Sequence, residues 1–139
     1  MEISRIRKRV GEIDWFHTID LGNGIVTPGV DNTPRKLVDI GMPRDLSGQT
    51  VLDIGAWDGF FSFEAERRGA KRVLATDSFC WSGEAWGRKR GFDLAREALG
   101  GPLARLDLVQ VVPERLRQAD AVLPLRELLH QPIDVGLER

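Results

Sequence analysis

Val51-Leu52-Asp53-Ile54, a β-prone run, leads straight into Gly55-Ala56-Trp57-Asp58-Gly59 and then into Phe60-Phe61-Ser62-Phe63-Glu64, which reads as a helix. A glycine loop carries meaning in this setting, between a buried strand and a helix. Gly55 lets the chain turn sharply off the strand. Gly59 lets the helix pack close to the sheet and leaves backbone N–H groups for a ligand. The helix should run from about Phe60 to Arg68 and stop at Gly69. A second strand, Arg72-Val73-Leu74-Ala75-Thr76, then ends at Asp77. That puts a carboxylate about twenty residues beyond the loop, the spacing of a ribose-hydroxyl ligand.

The alternation continues outward. A helix is expected from about Glu84 to Leu99, stopped by Gly100-Gly101-Pro102, with a third strand inside Leu103 to Val112. Pro113 to Gln118 reads as a helical turn and Ala119 to Leu125 as a fourth strand. Strands alternating with helices argue for a parallel α/β sheet with right-handed crossovers. Upstream, Ile3, Ile6, Val10 and Ile13 recur at helical spacing, and Arg5, Arg7, Lys8 and Arg9 take the other face. That basic face reads as solvated, with phosphate contact as the alternative. Trp15 to Leu21 and Ile25-Val26-Thr27 flank Gly22-Asn23-Gly24, the pattern of a hairpin or an ordered substrate loop. Thr33 before Pro34 is expected to cap a short helix through about Ile40. The chain divides into an extension, 1–48, and a core, 49–139.

Composition sets outer bounds. With 42% hydrophobic and 29% charged residues the chain suits one compact domain. A net charge of −1 gives no global attraction to nucleic acid. The single cysteine, Cys80, excludes an internal disulfide. No apolar run reaches the roughly 20 residues of a membrane span, and Met1-Glu2-Ile3-Ser4-Arg5 lacks the apolar stretch of a secretory signal. The expectation is a cytoplasmic protein with no membrane partner and no metal.

Which nucleoside ligand fits the loop follows from Trp57. In a dinucleotide site the middle glycine admits a pyrophosphate, and an indole at that point makes one a poor fit. A P-loop is excluded because no Gly-Lys-Ser/Thr follows. S-adenosylmethionine carries adenine and ribose without phosphate, and ends in an ammonium and a carboxylate. Asp53 can meet the ammonium, Asp77 the ribose, and the amides of Gly55, Ala56, Trp57 and Gly59 the carboxylate. Ser78 and Phe79, which follow Asp77, are further candidates for contact with the cofactor. Asp53 could otherwise cap the turn, Phe79 reads more as core than as an adenine platform, and Trp57 either lines the pocket or shields the sheet. Cys80 reads as an inert small hydrophobe.

Beyond these readings, Trp15-Phe16-His17-Thr18-Ile19-Asp20-Leu21-Gly22, Thr27-Pro28-Gly29, Val51 to Glu64, Ala75 to Phe79, Trp81-Ser82-Gly83 and Gly91 to Ala95 together resemble a bacterial family. That family is related to the tRNA wobble-uridine methyltransferases, of the class I S-adenosylmethionine-dependent type. The resemblance covers about the first hundred residues. It implies a Rossmann-like core, S-adenosylmethionine at Asp53, Gly55, Gly59 and Asp77, and an acidic residue, Asp107, just past strand three near the adenine; by itself Asp107 reads as one polar residue in an alternating strand. The resemblance also implies that Trp15 and His17 face the substrate, whereas the residues by themselves read as core for Trp15 and Phe16 and as a satisfied polar neighbour for His17. Such cores have seven strands, whereas about four are found here, so strand four would be an edge for a second copy to cover. Pro124 and Arg126 depart from the family's fourth strand, and His130 stands at its histidine position. The expected activity is O-methyl transfer to a modified tRNA uridine or a small metabolite, with His17 or His130 as base. The alternative is a non-catalytic cofactor-binding fragment without a complete acceptor site.

Overall fold

A computed structural model describes residues 3–81 and 89–100, and the backbone of 106–110. Three parallel strands form the sheet: β1 (Thr50–Ile54), β2 (Arg72–Asp77) and β3 (Leu106–Gln110), in the order β1-β2-β3. Val73, Leu74 and Ala75 of the middle strand are all buried, as a strand covered on both faces requires. The register pairs Asp53 with Ala75 and Ile54 with Thr76 on one side, and Leu74 with Asp107 and Asp77 with Gln110 on the other.

Two helices provide the crossovers, α3 (Phe60–Arg67) and α4 (Arg90–Leu99). α3 packs on β1 and β2, and Phe63 meets Phe92 of α4 with ring centroids 5.0 Å apart. Gly59 sits beneath that pair in the left-handed region, with φ +88°. α3 ends at Gly69, φ +84°, and α4 at Gly100, φ +52°, both as the glycine stops implied. The parallel α/β core therefore matches the sequence reading over three strands. The expected fourth strand (119–125), the helical turn before it and the start of the helix at Glu84 lie outside the described residues, and with them the edge a second copy was expected to cover.

The extension has two helices, α1 (Ile3–Val10) and α2 (Thr33–Asp39). α1 buries Ile6 and Val10 and lies along α4, with Arg9 paired to Glu97. Asp20 and Val26 form an antiparallel bridge around Gly22, Asn23 and Gly24, all three with positive φ, so the hairpin reading holds in its shortest form. Thr33 is not the cap that was expected. It is the first residue of α2, Asn32 takes the cap position, and the Thr33 hydroxyl donates to the Asp31 carboxylate at 2.7 Å. No described helix is long and apolar enough to cross a membrane.

An added Cβ at Gly59 would fall 2.6 Å from the rings of Phe63 and Phe92, whereas one at Gly55 would meet nothing within 4 Å. Gly59→Ala should therefore cost about 2–4 kcal/mol, from crowding and left-handed backbone together. Gly55→Ala should cost about 1 kcal/mol, from backbone conformation alone. Urea unfolding of both variants checks this, and equal losses would contradict it.

Candidate functional site

The carboxyl ends of β1 and β2 open onto a groove of about 420 Å³, lined by Ile54, Gly55, Trp57, Thr76, Asp77, Ser78, Phe79 and Cys80. In open parallel sheets this end is where ligands collect, and the volume lies within the usual range for small-molecule sites. Ile54 is 77% exposed and Phe79 75% exposed, so two large apolar side chains stand in water at its walls. Phe79 is thus not the core residue it was read as. Gly55, at φ +77°, turns its side-chain direction toward open space. A flat ring can lie against the backbone there as it could against no other residue.

Asp77 organises the groove floor. It is 4% exposed, and its Oδ1 accepts the N–H groups of Phe79 (2.8 Å), Cys80 (2.6 Å) and Trp81 (3.3 Å). Its Oδ2 accepts the Trp57 N–H at 3.0 Å. Oδ2 has one donor among the described residues, which leaves acceptor capacity for a hydroxyl. The loop amides differ from expectation. Gly55 and Ala56 donate to the Thr76 carbonyl, Trp57 to Asp77, and Gly59 to the Ala56 carbonyl. They are satisfied by the end of β2 and by the loop itself rather than held out to a ligand carboxylate, because the tight turn after β1 brings Gly55 and Ala56 onto the shared Thr76 carbonyl and Trp57 onto Asp77.

Asp53 lies one layer below. Side chains alternate along a strand, so Asp77, two residues past Ala75, falls on the same sheet face as Asp53. Asp53 accepts the Ser62 hydroxyl of α3 at 2.6 Å, and burial raises its carboxyl above the ordinary value. It is outside the groove lining. Asp107 is the second residue of β3, opposite Leu74, and not past the strand end as expected. His130 lies outside the described residues. Burial pushes the Cys80 thiol up to about 11, so it is inert as read.

Sequence reasoning missed Asp58. Its side chain is fully buried, and Oδ2 accepts the N–H groups of Phe16 (2.7 Å) and His17 (3.0 Å). An acidic residue between Trp57 and Gly59 was visible, but nothing in its spacing named partners some forty residues upstream. Phe16 then stacks on Trp57, centroids 4.2 Å apart and planes 6° from parallel. Trp57 therefore both lines the groove and covers its neighbour. Trp15 is core, with Nε1 donating to the Val10 carbonyl at 2.9 Å, so it does not face a substrate. His17 is 6% exposed, sits among Phe16, Phe60 and Phe61, and is outside the groove lining. Among the described residues, no group of three or more metal-ligating side chains comes together.

Burial lowers the His17 imidazole from 6.5 to about 4, with Asp31 opposing and Lys36 assisting. A base of that strength is poorly matched to neutral pH, which corrects its expected catalytic role. Its effect falls on stability. Above pH 6.5 the ring is neutral folded or unfolded. As pH falls from 6.5 toward 4 the unfolded chain binds a proton that the folded one refuses, so stability declines, by on the order of 3 kcal/mol in all. Asp53 and Asp58, raised by burial, contribute with opposite sign. The measurable quantity is therefore the difference between the parent and His17→Leu across this window. The parent should lose stability faster on acidification, and parallel curves would contradict the assignment.

No family model matches the chain, and no curated protein matches it. Among solved structures it is similar to a Pyrococcus horikoshii protein provisionally described as an RNA methyltransferase. The identity is 18% and the TM-score 0.39, with 81% of this chain and 51% of that one covered. The chain thus spans about half the length of that neighbour.

Proposed function

We propose that the groove holds S-adenosylmethionine and that the chain belongs to the machinery of a methyltransferase. The observation that carries this reading is the open groove at Gly55, with Asp77 at the end of the neighbouring strand and exposed Ile54 and Phe79 beside it. These residues fit the nucleoside half of that molecule. Phe79 and Ile54 offer apolar surface to adenine, Gly55 leaves room for it, and the second lone pair of Asp77 Oδ2 can accept from a ribose hydroxyl. When bound, the cofactor supplies a methyl group activated on a sulfonium.

The chain's own contribution is positioning and exclusion of water. Trp57, held by Asp77 and by the Trp81 indole N–H on its carbonyl at 2.8 Å, is a fixed wall. With His17 neutral and buried, O-methyl transfer fits best an acceptor that is already acidic, a carboxylate or an acidic hydroxyl, which needs no strong base. A modified tRNA uridine bearing such a group and a small acidic metabolite both satisfy that condition. A second reading, ligand binding without turnover, is favoured by the self-paired loop amides, which leave the amino-acid end of the cofactor without its expected donors.

S-adenosylhomocysteine should bind the purified chain in calorimetry. Phe79→Ala should weaken it about tenfold by removing the stacking surface, with the melting temperature unchanged because the side chain is exposed. Binding together with methyl transfer to an acidic acceptor supports the first reading, and binding alone supports the second. Absence of binding to the parent chain removes both.

A further inference from the structure

Trp57 has φ +49°, a left-handed backbone that a bulky residue rarely adopts. Such strain persists only where surrounding contacts over-determine it, and it clusters at ligand sites. Here the contacts are visible. The Trp57 N–H is on Asp77, its carbonyl receives Trp81 Nε1, and its indole lies flat on Phe16. Phe16 is itself fixed from two directions. Its N–H donates to Asp58 Oδ2, and its carbonyl receives the Asp31 N–H at 2.9 Å. The segment behind it has no slack either, since a Cβ on Gly29 would fall 2.2 Å from the His17 backbone. On the far side of Asp58, Gly91 leaves the space its carboxylate occupies, with 2.5 Å to an added Cβ.

We propose that Phe16 is a positioning residue of the groove: its ring holds Trp57 in the left-handed conformation that keeps the Trp57 N–H on Asp77 and the groove wall upright. The extension is then part of the ligand site although none of its residues lines the groove. Ligand affinity and docking of the 16–31 segment are coupled through this stack. The inference rests on the groove being a ligand site, and part of its test is independent of any ligand.

Two substitutions separate stacking from bulk. Phe16→Leu keeps apolar volume and loses the flat ring, whereas Phe16→Tyr keeps the ring. The Trp57 amide should exchange with solvent deuterium about fivefold to tenfold faster in Phe16→Leu, the scale expected for one aromatic stack, and at the parent rate in Phe16→Tyr. S-adenosylhomocysteine affinity, by calorimetry, should fall by a similar factor in the first and recover in the second. Parent-like exchange and affinity in Phe16→Leu would overturn the proposal, as would a lowered melting temperature with both left unchanged. If the parent chain does not bind S-adenosylhomocysteine, the functional reading fails and the exchange rate alone decides. Faster exchange in Leu and not in Tyr upholds the Phe16–Trp57 lock, and equal rates refute it.

Discussion

One buried carboxylate sets the shape of this protein's upper edge. Asp77 ends β2 and collects amides from both connections that leave the sheet: Trp57 after β1, and Phe79, Cys80 and Trp81 after β2. Hydrogen bonds to a charged acceptor contribute about 1.5–3 kcal/mol each. The one on the Trp57 amide is comparable to the cost of that residue's unfavourable backbone conformation. The groove is the space left between two loops that this anion draws together. Its openness at Gly55 and its apolar walls follow from that geometry.

Asp58 performs the matching task for the extension. Its two bonds go to the Phe16 and His17 amides rather than to its own loop, so the glycine loop has a carboxylate partner on each side. Burial raises the Asp58 carboxyl and lowers His17, because desolvation disfavours the charged form of each. The imidazole Nδ1 stands 3.8 Å from Asp58 Oδ2, too distant for a hydrogen bond, and His17 Nδ1 and Asp58 Oδ1 have no partner among the described residues. The pair is a costly element in the core, tolerated where it joins extension to loop. Aromatic packing around it, Phe16 on Trp57 and Phe60 against Phe61, supplies the compensating burial.

Much of the core was legible because its signals are local. The β-prone run before Gly55, the glycine stops at Gly69 and Gly100, and the acidic end of β2 each act within a few residues. Among the described residues they returned three parallel strands and two crossover helices, the second helix ending at Leu99 as expected. The groove lining was legible in outline, through Gly55, Trp57 and Asp77, and misread in its contacts. Loop amides that the pattern offers to a ligand are spent on Thr76 and Asp77, since the sequence marks where a turn lies but not which acceptor faces it. The family resemblance, and not the residues themselves, implied that Trp15 and His17 face a substrate, and the docking of the extension buries both. Asp58 went unread for the same reason: its partners are distant in sequence and are backbone groups, which carry no residue signature. Asp107 was placed past the third strand, where the ladder instead pairs it with Leu74.

The account turns on whether the end of β1 and β2 receives a nucleoside. Titrating S-adenosylhomocysteine into isotope-labelled protein and following amide and indole N–H resonances tests this site by site. Shifts concentrated at Gly55, Trp57, Ser78 and Phe79, with the Trp81 indole responding through its bond to Trp57, are the predicted result. Shifts confined to α1 or α2, or no shift at saturating ligand, would contradict it.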